Sequence, residues 1–313
     1  MPTLLVALDG SPFADAVLPV AVGIARHMKA QIVLASVLDS EPWRYATGGA
    51  PYADRRLERE LEKPWRDAVI RHIEGWRAQI AALPDAPPVS TRVFEGAVVD
   101  SLLQCATDVG ASMLVITTHG RSGLERAWLG SVTDALIRRA PLPVVAVRPS
   151  AKAAAVPPDL GAWALRRVLV PLDGSQTSEA VLAPHRTGFG DTIEYLRMRA
   201  VTPLHPLLRA IAVGGEYERD LAEQLAMVLA YLRLTEEKLR SSGVRVSHCA
   251  PVEFEPPRAI CDCAQQYGVD LIAMATHGRG PVPRALLGSV ADKVLRSTDR
   301  PVLIYRVEGA DVA

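Results

Sequence analysis

The sequence has no excess of charge of either sign: 35 basic residues balance 35 acidic ones. A nucleic-acid or anionic-membrane partner calls for a basic excess, so neither is expected. Long apolar runs are missing too. None approaches the roughly 18 residues that a membrane-spanning helix needs. The start, Met1 to Asp9, has no basic lead-in, and its apolar run stops at Asp9. It is not expected to be a signal peptide. Cysteine is scarce. Cys105, Cys249, Cys261 and Cys263 are too few for a disulfide framework in 313 residues. A reducing cytoplasm is therefore the expected location. Lysine is nearly absent, at 5 of the 35 basic residues, which says little about function.

What is present is ordinary globular material, 49% apolar and 22% charged, enough to bury a core. At roughly 100–200 residues per domain, the length suggests two domains or three small ones. An internal repeat decides between them. Leu4 to Ser11 returns as Val168 to Ser175, an offset of 164 at the shared Asp9 and Asp173. Thr118-His119-Gly120-Arg121 returns as Thr276-His277-Gly278-Arg279, and Leu129-Gly130-Ser131-Val132 as Leu287-Gly288-Ser289-Val290, both at an offset of 158. Pro143 to Arg148 matches Pro301 to Arg306. Blocks in one order at near-constant spacing mean a duplicated domain. The expected layout is one domain over 1–149, a Pro- and Ala-rich linker over 150–164, and a second domain over 165–313.

Within the first copy, residues 3–8 form an unbroken apolar strand, as a sheet covered on both faces requires. Ser11-Pro12 starts a helix whose apolar positions Val17, Ala21, Ile24 and Met28 follow helical spacing. Further strands are expected at 31–37, 89–94, 113–117 and 144–148. Helices are expected at 54–82, bent or interrupted near Pro64, at 98–109 and at 131–139. Alternation of strand and helix means a parallel, doubly wound α/β sheet of five strands in each copy. Ligands bind such sheets beyond the carboxyl ends of the strands, so the loops after strands one, two and four are the places to look. The second copy carries blemishes: Pro184 and Gly188 interrupt its first helix, and its third strand runs into Glu253 to Pro257.

The loop after strand four holds the strongest constellation. It runs from Thr117 through His119, Gly120 and Arg121 to Gly130 and Ser131. Glycines let backbone N–H groups close on a phosphate. Ser131 and Val132 open a helix whose N-terminal N–H groups favour an anion. Ala275, His277, Gly278, Arg279, Gly288, Ser289 and Val290 repeat the arrangement. Ser131-Val132-Thr133-Asp134 and Ser289-Val290-Ala291-Asp292 also have the spacing of a capping box, which would engage the serine hydroxyls in the helix start. The two Arg can neutralise phosphate. The two His are read as packing or ligand contacts, not catalysts.

On these motifs the chain resembles a tandem universal stress protein over nearly its whole length. Nucleotide-binding members carry Gly-x2-Gly-x9-Gly-[Ser/Thr] after strand four. Gly120, Gly130 and Ser131 match its later positions, as do Gly278, Gly288 and Ser289. Thr117 and Ala275 stand where the first glycine would be. The resemblance implies a Rossmann-like, adenine-nucleotide-binding fold, with the two copies paired through their last strands as an intramolecular pseudo-dimer, and it allows a homodimer of chains. It also implies ATP and Mg2+ as ligands, with Asp9 and Asp173 near the ribose and the metal-bridged phosphates. Asp-Gly-Ser is equally strong turn chemistry. Val37 matches the backbone contact to adenine; its twin is either Met198 or Val201. The implied function is an ATP-binding stress regulator with at most slow hydrolysis. The alternative is a nucleotide-free interaction module. An enzyme is disfavoured, because strand one is followed neither by Gly-x-Gly-x-x-Gly nor by Ser-Gly-Gly-x-Asp-Ser. His248, Cys249, Cys261 and Cys263 fit no zinc spacing, and the cysteines are read as small buried hydrophobes. The first copy is expected to be the more intact.

Overall fold

The structure is a computed structural model. It describes residues 1–39, 55–118, 129–149, 156–182, 189–190, 192–204, 216–240, 243–275 and 287–306, with backbone alone at 55–62, 216 and 238. The chain divides into unit 1, Met1–Ala164, and unit 2, Leu165–Ala313.

Unit 1 runs β1 (Thr3–Ala7), α1 (Pro12–Asp15), α2 (Leu18–Met28), β2 (Gln31–Leu38), α3 (Arg55–Ala81), β3 (Val89–Glu95), α4 (Val98–Asp108), β4 (Met113–Thr117), α5 (Ser131–Arg139) and β5 (Val144–Val147). Its strands lie in the order β3-β2-β1-β4-β5, and every pair is parallel. Every residue of β1, β4 and β5 is buried, so apolar residues fill both faces of these strands. β3 alternates half-buried and exposed residues, as an edge strand does.

Unit 2 repeats the plan: β6 (Arg167–Pro171), α6 (Gln176–Glu179), β7 (Glu194–Met198), α7 (Glu216–Arg240), β8 (Arg245–Cys249), α8 (Pro256–Gln266), β9 (Leu271–Ala275), α9 (Ser289–Ser297) and β10 (Val302–Tyr305). Its strand order, β8-β7-β6-β9-β10, is that of unit 1, again parallel throughout. The order reverses direction between strands one and four of each unit. A crevice opens at that switch point.

Four local expectations are corrected or sharpened. The first helix of unit 1 is not continuous. It stops after Asp15 and restarts at Leu18, with Pro19 in its first turn. A proline there has no N–H to donate to the preceding turn, so the chain begins a new helix. Unit 2 breaks early as well, passing from α6 into a 3-10 turn over Ala180–Leu182. An interrupted first helix is therefore common to both units; Pro184 and Gly188 lie outside the described residues. Third, α3 passes through Pro64 as one helix. Val69, Ile73, Trp76 and Ile80 bury one stripe of it, and that packing outweighs one lost hydrogen bond. Fourth, β8 ends at Cys249, and Pro256 and Pro257 open α8, where a missing N–H costs nothing.

The described part of the expected linker packs on unit 1. Leu160 is buried, and Trp163 lies against Gly23 of α2. A Cβ at Gly23 would stand 2.7 Å from the Trp163 carbonyl oxygen. Alanine gains about 1 kcal/mol over glycine in a helix. Overpacking costs about 1–3 kcal/mol. Gly23→Ala is therefore expected to lower the melting temperature; a rise would show that 156–164 yields freely.

β7 carries Arg197, fully buried, under α7. Its Nη1 donates to the Leu232 carbonyl at 2.5 Å and to Thr235 Oγ1, and Nη2 donates to Glu236 Oε2 at 3.0 Å. His248 Nδ1 lies 2.6 Å from the same oxygen, and Arg240 is 2.6 Å from Oε1. By strand register the counterpart of Arg197 in unit 1 is Leu34.

Candidate functional site

The Asp-Gly-Ser turn after strand one has the same frame in both units. Gly10 and Gly174 have φ of +81° and +83°, a left-handed conformation that glycine adopts without strain. Asp9 Oδ1 accepts the Ser11 N–H at 2.9 Å, and Asp173 Oδ1 accepts the Ser175 N–H at the same distance. The serine oxygens then cap the next helix, Ser11 accepting from Ala14 N–H at 3.2 Å and Ser175 from Ser178 N–H at 3.1 Å. The aspartates are thus turn residues placed just beyond the carboxyl ends of β1 and β6.

A cavity of about 340 Å³ lies at the switch point of unit 1. It brings together Asp9, Val37, Thr117, Gly130, Ser131 and Val132. Those six are every proposed nucleotide contact of unit 1 within the described residues. His119, Gly120 and Arg121, and in unit 2 His277, Gly278 and Arg279, lie outside them. One wall is apolar, made by Val37 of β2 with Val98 and Leu102 of α4. Asp39 also lines the cavity and was not anticipated. It follows strand two as Asp9 follows strand one, so the same topological rule points to it. Its counterpart in unit 2, by register, is Thr202.

The end of the cavity at α5 is set by backbone. Gly130, not Ser131, is the N-cap of α5, and Gly288 is the N-cap of α9. This corrects the capping-box reading. Ser131 and Ser289 are first-turn residues and exposed. Asp134 does not reach back but pairs with Arg138 at 2.8 Å, as Asp292 does with Arg296. The first intrahelical bond of α5 is Asp134 N–H to the Gly130 carbonyl, at 2.9 Å. The N–H groups of Ser131, Val132 and Thr133 precede it and form the positive end of the helix dipole. The Gly130 N–H donates to the Thr118 carbonyl at 2.7 Å, holding the start of α5 to the end of β4. Thr133 Oγ1 donates to the Thr117 carbonyl at 2.6 Å and ties α5 to β4. Because Ser131 is not the cap, Ser131→Ala is expected to change stability by no more than about 0.5 kcal/mol. Ser11→Ala, which removes a true cap, is expected to cost about 1 kcal/mol. Urea unfolding of both variants checks the contrast.

In unit 2, Ala275 ends β9 half-buried, and Ser289 and Val290 open α9. The twin of Val37 is neither Met198 nor Val201. Ala35 stands opposite Ala7, and Met198 opposite Pro171. Val37 is two residues beyond Ala35, so its counterpart is Ala200.

A carboxylate beside each turn is held from the long helix. In unit 1, buried Asp15 lies 2.8 Å from His72 Nε2, and Trp76 packs edge-on to the imidazole. In unit 2, Tyr231 donates to Glu179 at 2.6 Å, and Arg199 lies over the phenol ring. The Asp15 hydrogen bond holds the His72 pKa above its ordinary 6.5, with the charges of Asp15 and Asp9 adding and burial opposing. A raised folded-state pKa stabilises the protein below the unfolded value, and that contribution is lost as pH climbs through the raised one. Burial, then the Glu179 bond, pushes Tyr231 well above its ordinary value, so the phenol keeps its proton near neutrality. An NMR titration of the His72 ring should show a midpoint above 6.5, falling in Asp15→Asn. An unchanged midpoint would contradict the assigned cause.

The family model described as "Universal stress protein family" matches residues 1–148 and again 164–306. The chain belongs to the universal stress protein family. A universal stress protein of Mycobacterium tuberculosis is 31% identical over 204 residues, 63% of this chain. The match spans 62% of that relative, less than two thirds of its length. A second from the same organism is 26% identical over 97% of this chain and 95% of its own. The crystal structure of a universal stress protein from Archaeoglobus fulgidus superposes with a TM-score of 0.61 at 18% identity, covering 97% of this chain and 96% of that one. That likeness shows the tandem fold. Among the described residues, no helix of this universal stress protein is long and apolar enough to cross a membrane. Nor do those residues include a cluster of three or more His, Cys, Asp or Glu able to hold a metal ion.

Proposed function

We propose that unit 1 binds an adenine nucleotide, as Mg-ATP, and that the protein is a cytoplasmic regulator whose signal is site occupancy rather than turnover. One observation carries this reading. A single cavity joins the strand-one carboxylate Asp9 to the first turn of α5 and to an apolar wall. Its volume falls within the roughly 300–1,000 Å³ of small-molecule sites. Phosphate suits the N–H groups of Ser131 and Val132. The base suits the wall of Val37, Val98 and Leu102. Asp9 and Asp39 supply hard carboxylate oxygens, the chemistry Mg2+ prefers, while the phosphates complete its shell. The donor set therefore fits a metal that arrives with its nucleotide. When bound, Mg2+ would neutralise phosphate charge. The chain's own residues orient the phosphates through backbone N–H groups and seat the base against apolar surface.

Two measurements test the reading. Extract from the denatured, freshly purified chain is expected to contain adenine nucleotide. Mg-ATP at about 100 times its dissociation constant is expected to stabilise the fold by about 2.7 kcal/mol. An empty extract together with an unmoved melting curve would overturn the reading and favour a nucleotide-free interaction module.

A further inference from the structure

Two of the four cysteines meet in unit 2 although 14 residues separate them. Cys249 ends β8, and Cys263 lies in α8. Their sulfurs are 3.5 Å apart, and both side chains are buried. A disulfide needs about 2.05 Å between sulfurs, so the approach still required is about 1.5 Å. Unit 1 has no such pair. The counterpart of Cys263 at the repeat offset is Cys105, but the strand position matching Cys249 is Arg92. The thiol pair is thus a property of unit 2 alone.

The two sulfurs are not equivalent. The close contact between the two sulfurs holds the Cys263 pKa below the ordinary thiol value and, with burial, pushes that of Cys249 above it. Cys261, two residues away on α8, is raised by burial and by the charges of Asp262 and Asp299.

We propose that Cys249 and Cys263 form a reversible dithiol–disulfide site whose oxidant is a small hydroperoxide. The Cys263 thiolate attacks one oxygen of hydrogen peroxide. The O–O bond breaks, hydroxide leaves, and sulfur is oxidised to a sulfenic acid. The Cys249 sulfur then attacks the Cys263 sulfur. The S–S bond forms, the S–O bond breaks, and hydroxide leaves to take up the thiol proton as water. Overall, two thiols and one peroxide give one disulfide and two waters. A dithiol reductant reverses the change by exchange. Burial excludes bulky oxidants, and the adjacent second sulfur intercepts the sulfenic acid before further oxidation. The product ties α8 covalently to β8.

The test treats the reduced full-length chain with hydrogen peroxide, alkylates it under denaturing conditions and maps the peptides by mass. The expected result is a mass lower by two hydrogens, a disulfide-linked peptide pair containing Cys249 and Cys263, and full reversal by dithiothreitol. A chain with Cys105→Ser and Cys261→Ser, retaining only the pair, is expected to behave identically. Full alkylation of Cys249 and Cys263 after peroxide would overturn the proposal. So would their accumulation as sulfinic acids, or a link made instead through Cys261.

Discussion

Replacing Ser131 with proline is expected to weaken Mg-ATP binding at unit 1 by about 10- to 100-fold while leaving the fold intact. The substitution removes one backbone donor at the opening of α5. A hydrogen bond to a charged group contributes about 1.5–3 kcal/mol. Each 1.4 kcal/mol is a factor of about ten in affinity. The helix tolerates the change, because its first position has no intrahelical partner for an N–H and proline is favoured there. Ser131→Ala keeps the N–H and should bind nearly as the parent does. Equal weakening by both would move the interaction from backbone to hydroxyl. Ser289→Pro, at the matching position of α9, should leave the unit 1 affinity unchanged.

Removing the Glu236 carboxylate should unfold unit 2 far more readily. Glu236→Ala leaves the fully buried Arg197 guanidinium without its counter-charge. Breaking a buried ion pair from one side costs about 3–5 kcal/mol. His248 and Arg240 would lose the same partner, so their cost adds. Calorimetry should show the unit 2 transition falling by roughly 10 °C, at about 2–4 °C per kcal/mol in a domain of this size. The double change Arg197→Leu with Glu236→Leu should recover most of the loss. It restores the apolar residue that Leu34 provides in unit 1, and it removes an Arg197 Nε that is buried with no partner. A double variant as unstable as the single one would show that the pair stabilises the unit by itself.

The topology was legible because both units spell it out. β1 and β4 are buried on both faces and read as continuous apolar runs. Ser11-Pro12 states a helix start in two residues. The repeat then doubles the information at Asp9 and Asp173 and at Gly130 and Gly288. The site was legible to the same extent, since strand ends and a helix start are local features. Contacts across long sequence separations were not. Asp15 and His72 are 57 residues apart, and no spacing rule joins a helix start to the middle of a long surface helix. Cys249 and Cys263 read as two isolated apolar positions, because strand and helix periodicities give no register between β8 and α8. Arg197 sits in a strand pattern that predicts an apolar side chain, and its partner comes from α7. Ser131 shows the limit of local motifs: the capping-box spacing is present, but Gly130 takes the cap and Asp134 turns to Arg138.

A calorimetric titration of Mg-ATP into the full-length chain, run in parallel on Ser131→Pro, tests the nucleotide site most directly. Saturable heat is expected for the parent chain, and a component weakened by about 10- to 100-fold in the variant. No saturable heat up to on the order of 1 mM nucleotide, or identical curves for the two chains, would contradict this expectation.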